Sequence, residues 1–125
     1  MKRFEYTNTK DVRWREENEE FGRFSNTFFR LARKSYNISG KFVGKYDVYD
    51  FHTVDHGVHK TYWIDGYEDV QFNMNGEKVD FGYIKRREHT EKEYGNERYN
   101  KLKENGYFLI GFFEQDVCGR ERRIK

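Results

Sequence analysis

The chain reads as an α+β domain: a four-stranded antiparallel meander, an amphipathic helix before it, a second helix after it and a closing strand. Three observations predict this class. Turn signals recur about ten residues apart between Lys41 and Lys85, at Asp55-His56-Gly57, Asp65-Gly66 and Asn75-Gly76, flanked by apolar residues. Apolar positions ahead of this meander follow a helical spacing instead. The composition sets one Ala and three Leu against 12 Phe and 10 Tyr, so any core is built from rings and β-branched residues, which favour strands over a helical bundle. A length of 125 residues suits one core, and residues 1–125 read as a single domain.

In order, Lys2 to Tyr6 alternates and fits a short first strand. From Asp11 to Tyr36 the residues Trp14, Phe21, Phe24, Phe28, Leu31 and Ala32 fall on one helical stripe, with Thr9 or Asp11 as cap. Glu16, Glu17, Glu19 and Glu20 crowd its first half and Arg23, Arg30, Arg33 and Lys34 its second, which complements the helix dipole. Gly22, Ser25 and Asn26 are poor interior residues and mark where it would break in two.

The meander is registered by parity, because side chains alternate faces along a strand. A three-residue loop over Asp55-His56-Gly57 sets Val54 opposite Val58, pairing His52 with Lys60, Tyr49 with Trp63 and Phe51 with Thr61. A two-residue turn at Asn75-Gly76 pairs Phe72 with Val79 and Val70 with Phe81. At Asp65-Gly66 a three-residue loop is preferred. It gathers Val48, Val54, Val58, Tyr62, Ile64, Val70, Phe72, Met74, Val79 and Phe81 on one core face. A two-residue turn there would bring His59 and Trp63 to that face instead. Thr90 then caps the second helix, about 90–104, with Tyr94, Tyr99 and Leu102 on its apolar side and Asn105-Gly106 as its stop. The apolar run about 107–113 is the closing strand, buried on both sides.

Function classes narrow next. The net charge of +2 says little, so electrostatic reasoning must be local. Met1-Lys2-Arg3 leads into no apolar stretch, and no run is long enough to span a bilayer, so no membrane role is expected. Cys118 stands alone, which suits a reducing compartment. A proline-free chain rich in Lys, Asn, Tyr and Phe suggests AT-rich coding, as in a low-GC bacterium or its phages, and hence a bacterial host cytosol.

No Walker A loop, dinucleotide fingerprint, HExxH, paired CxxC or nucleophile elbow is present. Asp50, His52, Asp55, His56 and His59 are dense enough to suggest a divalent metal or phosphodiester cleavage. The register above separates His52 from His59 and puts His56 at a turn tip. No metal, cofactor or catalytic residue is therefore expected. Cys118, beside Gly119 and Arg120, has no identifiable histidine partner.

Binding is expected instead. Tyr49, Phe51 and Trp63 fall on the face away from the chosen core. Cations cluster at Arg30, Arg33 and Lys34, at Lys41 and Lys45, at Lys85, Arg86 and Arg87, and at Arg120, Arg122 and Arg123. Rings that stack on bases with cations for phosphates suit nucleic acid, and Tyr, Trp and Arg also dominate protein hot spots. The expected function is non-enzymatic: a phage or mobile-element accessory protein that inhibits or occupies a host nucleic-acid-handling, defence-type protein or nucleoprotein complex. The rivals are direct binding or sequestering of nucleic acid or a nucleotide, and a His-dependent phosphodiesterase using His52, His56 and His59. An open meander edge also leaves room for a homodimer.

Overall fold

The computed structural model describes residues 26–89, 97–116 and 119–125. Its elements are β1 (Asn26–Tyr36), β2 (Phe42–Asp55), β3 (Lys60–Phe72), β4 (Lys78–Asp80), β5 (Tyr83–His89), helix α1 (Glu97–Glu104), β6 (Phe108–Gln115) and β7 (Glu121–Arg123). They form one curled antiparallel half-barrel sheet in the order β4-β3-β2-β1-β6-β7, with β5 also paired to β3. Among the described residues the architecture is thus mostly β with one short helix, which corrects the α+β expectation.

The largest correction is at the predicted N-terminal helix. Its second half is β1, the strand between β2 and β6. Thr27, Phe28, Phe29, Arg30, Leu31 and Ala32 are buried in unbroken succession, which no single helical stripe allows and a strand covered on both faces requires. The helical stripe has no place for a buried Arg30, which the strand sets on the same face as Phe28 and Ala32. The predicted first strand and the helix before residue 26 lie outside the described residues.

The β2–β3 turn sets the register, and it differs from expectation. His56 N–H donates to His59 O at 2.9 Å, so Gly57 and Val58 form a two-residue turn. Gly57 has φ +90°, as the first position of a II′ turn favours, and its N–H donates to Asp55 Oδ1 at 2.8 Å. Asp55 therefore pairs with Lys60, and His52 with Trp63 rather than Lys60. The shift is by an odd number of residues, so every side chain of β3 changes face relative to β2.

Asp65-Gly66 is no turn. Both residues are buried in mid-strand, pairing with Asp50 and Tyr49. The Asn75-Gly76 turn exists but is wider than expected. Asn73 N–H donates to Glu77 O at 2.9 Å, and Gly76 has φ +80°. Asn73 Oδ1 accepts from the N–H groups of Asn75 and Glu77 at 2.9 and 3.0 Å, as an Asx turn does. The proposed single core face dissolves accordingly: Val58, Met74, Val79 and Phe81 are exposed, and Ile64 and Val70 lie on opposite faces.

Helix α1 is short as described, Glu97–Glu104, and the predicted start at residues 90–96 lies outside the described residues. It stops at the expected place. Gly106 at φ +91° donates to Lys103 O and Tyr107 N–H donates to Leu102 O, the paired bonds of a Schellman motif. The chain then enters β6, which sends Phe112 to one face and Phe113 to the other.

Two faces result. On the helix face Phe29, Leu31, Tyr49, Phe51, Ile64 and Phe112 pack under Tyr99, Leu102 and Tyr107. The other, hairpin face carries Phe28, Arg30, Ala32, Val48, Asp50, His52 and Val70. It is closed by a bend. β4 and β5 run along the same edge of β3, interrupted at Gly82 (φ +58°) across from Asp69 (φ +59°), a non-glycine residue in the left-handed region. Two left-handed residues side by side re-aim both strands, as bulges do. The β3–β4 tip thereby folds over the hairpin face, where Gly76 is buried.

Candidate functional site

The bend brings together four charged side chains from four strands. Arg30 on β1 is fully buried and Asp50 on β2 nearly so, at 0% and 1% exposure. Arg30 Nε and Nη2 donate to Asp50 Oδ1 and Oδ2 at 2.8 and 3.1 Å. Its Nη1 and Nη2 donate to Glu121 Oε1 and Oε2 at 3.0 Å each, and Nη1 also donates to Gly76 O at 2.8 Å. All five N–H groups of the guanidinium are thus used. Lys78 adds a second cation: its Nζ lies 3.1 Å from Asp50 Oδ2, and its backbone N–H donates to Glu121 Oε1 at 2.8 Å. The rings of Phe113, Phe28 and Phe72 surround the guanidinium at 4.4, 5.1 and 5.6 Å.

Burial alone would raise the Asp50 carboxyl, but the charges of Arg30 and then Lys78 hold it well below the usual carboxylate range. For Arg30, burial opposes the charge, and Asp50 and Glu121 more than reverse that effect. A carboxylate depressed in the folded state stabilises it above the unfolded value, about pH 4, and that contribution is lost as pH falls toward the folded value. Wild-type stability in urea is therefore expected to fall steadily as the pH is lowered below about 4. Asp50→Asn should be less stable at neutral pH and show a flatter acid limb. Equal acid limbs in the two proteins would remove Asp50 as the group responsible.

Beside the network, His52 is buried with Nδ1 3.0 Å from Asn26 Oδ1 and Nε2 3.2 Å from Asp65 Oδ2. Its ring stacks on Trp63 at 5.0 Å, and Trp63 Nε1–H donates to Asp65 Oδ2 at 3.1 Å. His56 and His59 stack on each other at the exposed β2–β3 turn, where His56 Nε2 lies 2.9 Å from Thr61 Oγ1. The three histidines do not converge. Among the described residues no three His, Cys, Asp or Glu side chains are grouped to hold a metal ion.

The expected binding residues are dispersed. Tyr49 and Phe51 are buried beneath α1, and Trp63 is on the opposite face, so the three rings form no common platform. Arg30 is sealed in the network. Arg33 lies over the Tyr107 ring at 4.7 Å and donates to Asn105 O, while Lys34 lies 5.0 Å from the Phe42 ring. Lys41 is exposed near the β1–β2 turn, with Lys45 half-buried on β2. Arg120 pairs with Asp116 and Arg122 with Glu114. Arg122 and Arg123 line a groove of about 420 Å³ with Asn75, Glu77, Ile124 and Lys125.

Lys85, Arg86 and Arg87 are all in β5, where Arg86 pairs with Gly66 and Arg87 with Asp65 along the backbone. Lys85 Nζ lies 3.4 Å from Glu68 Oε1. Immediately before them, Val79, Phe81, Tyr83 and Ile84 are 61%, 49%, 61% and 59% exposed, a run of apolar side chains that sequence reasoning assigned in part to the core. The Tyr83 hydroxyl bonds to Glu68, whose carboxylate raises the phenol's pKa.

Arg30 shares parity with Phe28 and Ala32 and is flanked by apolar residues on both sides, a signal of an inward-facing arginine once the segment is read as a strand. Lys78 and Glu121 carried no such signal. Among the described residues no helix is long and apolar enough to cross a membrane. No protein-family model, curated protein or solved structure matches the chain.

Proposed function

We propose that the protein is a non-enzymatic binding protein whose contact surface is the β4–β5 edge. The observation that carries this reading is the exposure of Val79, Phe81, Tyr83 and Ile84 directly beside Lys85, Arg86 and Arg87. Contiguous exposed apolar residues mark interaction sites, and aromatic residues with Arg are enriched at protein hot spots. The partner is a protein, of the kind a phage or mobile-element accessory protein engages in a host nucleic-acid-handling complex in the bacterial cytosol. A proline-free composition rich in Lys, Asn, Tyr and Phe supports that origin, and the basic edge suits a partner that itself meets nucleic acid.

The test is capture from host lysate with and without nuclease, using the wild-type chain and the triple variant Lys85→Glu/Arg86→Glu/Arg87→Glu. A complex that survives nuclease and weakens at least about tenfold in the triple variant is expected. Wild-type capture by that variant would refute the surface. Loss of capture after nuclease, with affinity falling steeply in salt, would point to nucleic acid as the direct ligand.

A further inference from the structure

We propose that the end of the β1–β2 hairpin is an arm that binds single-stranded nucleic acid, with its rings under the bases and its lysines on the phosphates. The reading does not rest on the β4–β5 surface, because among the described residues β4 and β5 pair only with β3. There too β1 pairs with β6 only as far as Ala32, and β2 pairs with β3 only from Tyr46 onward. Lys34 to Tyr46 is thus a two-stranded ribbon that outruns both neighbours, paired within itself at Lys34 with Tyr46 and at Tyr36 with Phe42. Its turn is held by Asn37, whose Oδ1 accepts from the N–H groups of Ser39 and Lys41 at 2.9 Å each, with Gly40 at φ +76°.

Rings run from this arm onto the sheet. The centroids of Tyr36, Phe42, Tyr46 and Phe72 follow one another at 6.3, 5.5 and 5.2 Å, and Phe108 meets Tyr46 at 6.5 Å. Lys34 Nζ occupies one face of Phe42 at 5.0 Å, and Tyr46 and Phe72 are half-buried. Tyr36 and Phe108, 58% and 44% exposed, are the rings open to a base.

The arm's charge is of one sign: Lys34, Lys41 and Lys45 stand in a segment, Lys34 to Tyr46, that holds no Asp or Glu. Among the described residues none of the three forms an ion pair. Two carboxylates approach the arm. Asp47 lies 3.7 Å from Arg33 Nη2 and Asp69 accepts from Ser35 Oγ at 3.2 Å, so both meet β1 residues that alternate with Lys34 and Tyr36. Glu77, in the β3–β4 turn beyond Phe72, accepts from Asn73 Nδ2 at 2.8 Å. Cations that are all lysine favour nucleic acid over protein, because Lys is depleted at protein interfaces while a phosphate backbone takes any fixed cation. Ile38 and Val43 are exposed as well, but single exposed aliphatic residues are ordinary surface.

The test uses the full chain and four fluorescent probes of equal length in low salt: an oligothymidylate, an oligouridylate, an abasic strand and a polyglutamate. Both oligonucleotides are expected to bind, and their relative affinity tells DNA from RNA. The abasic strand and the polyglutamate carry charge without bases and are expected to bind at least about tenfold more weakly. Tyr36→Ser should weaken oligonucleotide binding about fivefold or more, while Tyr36→Phe retains it. Lys34→Gln/Lys41→Gln should lower the log–log salt slope by about 1.4, for two phosphate contacts at about 0.7 each. The urea midpoint of each variant is expected to be unchanged, since these side chains are exposed. An abasic strand or polyglutamate that binds as tightly as the oligonucleotides would overturn the proposal. So would oligonucleotide affinity unchanged in both Tyr36→Ser and the lysine variant, which would put the strand elsewhere on the molecule. Failure of both oligonucleotides to bind at about 100 µM would overturn it outright.

Discussion

Asp50→Ala is expected to cost about 3–5 kcal/mol in urea unfolding, because it leaves Arg30 and Lys78 buried without their shared carboxylate. The network balances two cations against two anions inside the fold, so removing one charge strands the others. The cost comes from the partners left behind and not from a large net worth of the ion pairs. Arg30→Met combined with Asp50→Leu removes a bidentate pair of opposite charges together and should therefore lose much less than the two single substitutions summed. A double-mutant cycle by urea titration measures the difference. A loss below about 1 kcal/mol for Asp50→Ala would mean the network is open to water.

Gly82→Ala is the second large effect, expected at about 3 kcal/mol or more. A Cβ at residue 82 would lie 1.9 Å from Glu68 O and 3.0 Å from Asp69 O, both backbone atoms of the paired strand. The left-handed φ of +58° adds about 1–2 kcal/mol for a residue with a side chain. Relief requires β3 and β5 to separate at the bend, and the hairpin tip that supplies Gly76 O and Lys78 to the network would withdraw with it. Gly40→Ala is the control. Gly40 also has a left-handed φ, +76°, yet a Cβ there meets nothing within 4 Å, so only the conformational cost applies. Similar losses for the two variants would show that the bend contributes no steric requirement.

Much of the local structure was legible in the chain. The Asn105-Gly106 stop and the left-handed glycines at positions 57 and 76 are each decided by a few neighbouring residues, whereas the run expected to be buried on both sides is so only at Gly111 to Phe113, with Phe108 exposed. Phe28 to Ala32 was legible only in part, since a strand buried on both faces and a helix stripe share an apolar pattern at short length.

By itself, the sequence determined the material of the core, two of the three turns it marked in the meander and the end of helix α1, because these depend on side-chain chemistry and on φ values that neighbours set. Asp65-Gly66 instead became mid-strand. Only the tertiary structure decided which faces those residues share. A two-residue turn at Gly57-Val58 moved Trp63 to the side of His52 and left Tyr49 and Phe51 under the helix. The bend at Asp69 and Gly82 then carried Lys78 onto Asp50, while β7 brought Glu121 to Arg30. The physical reason is that strand parity reverses with each single residue of turn length, and charges 20 to 91 positions apart meet only after every such choice has been made.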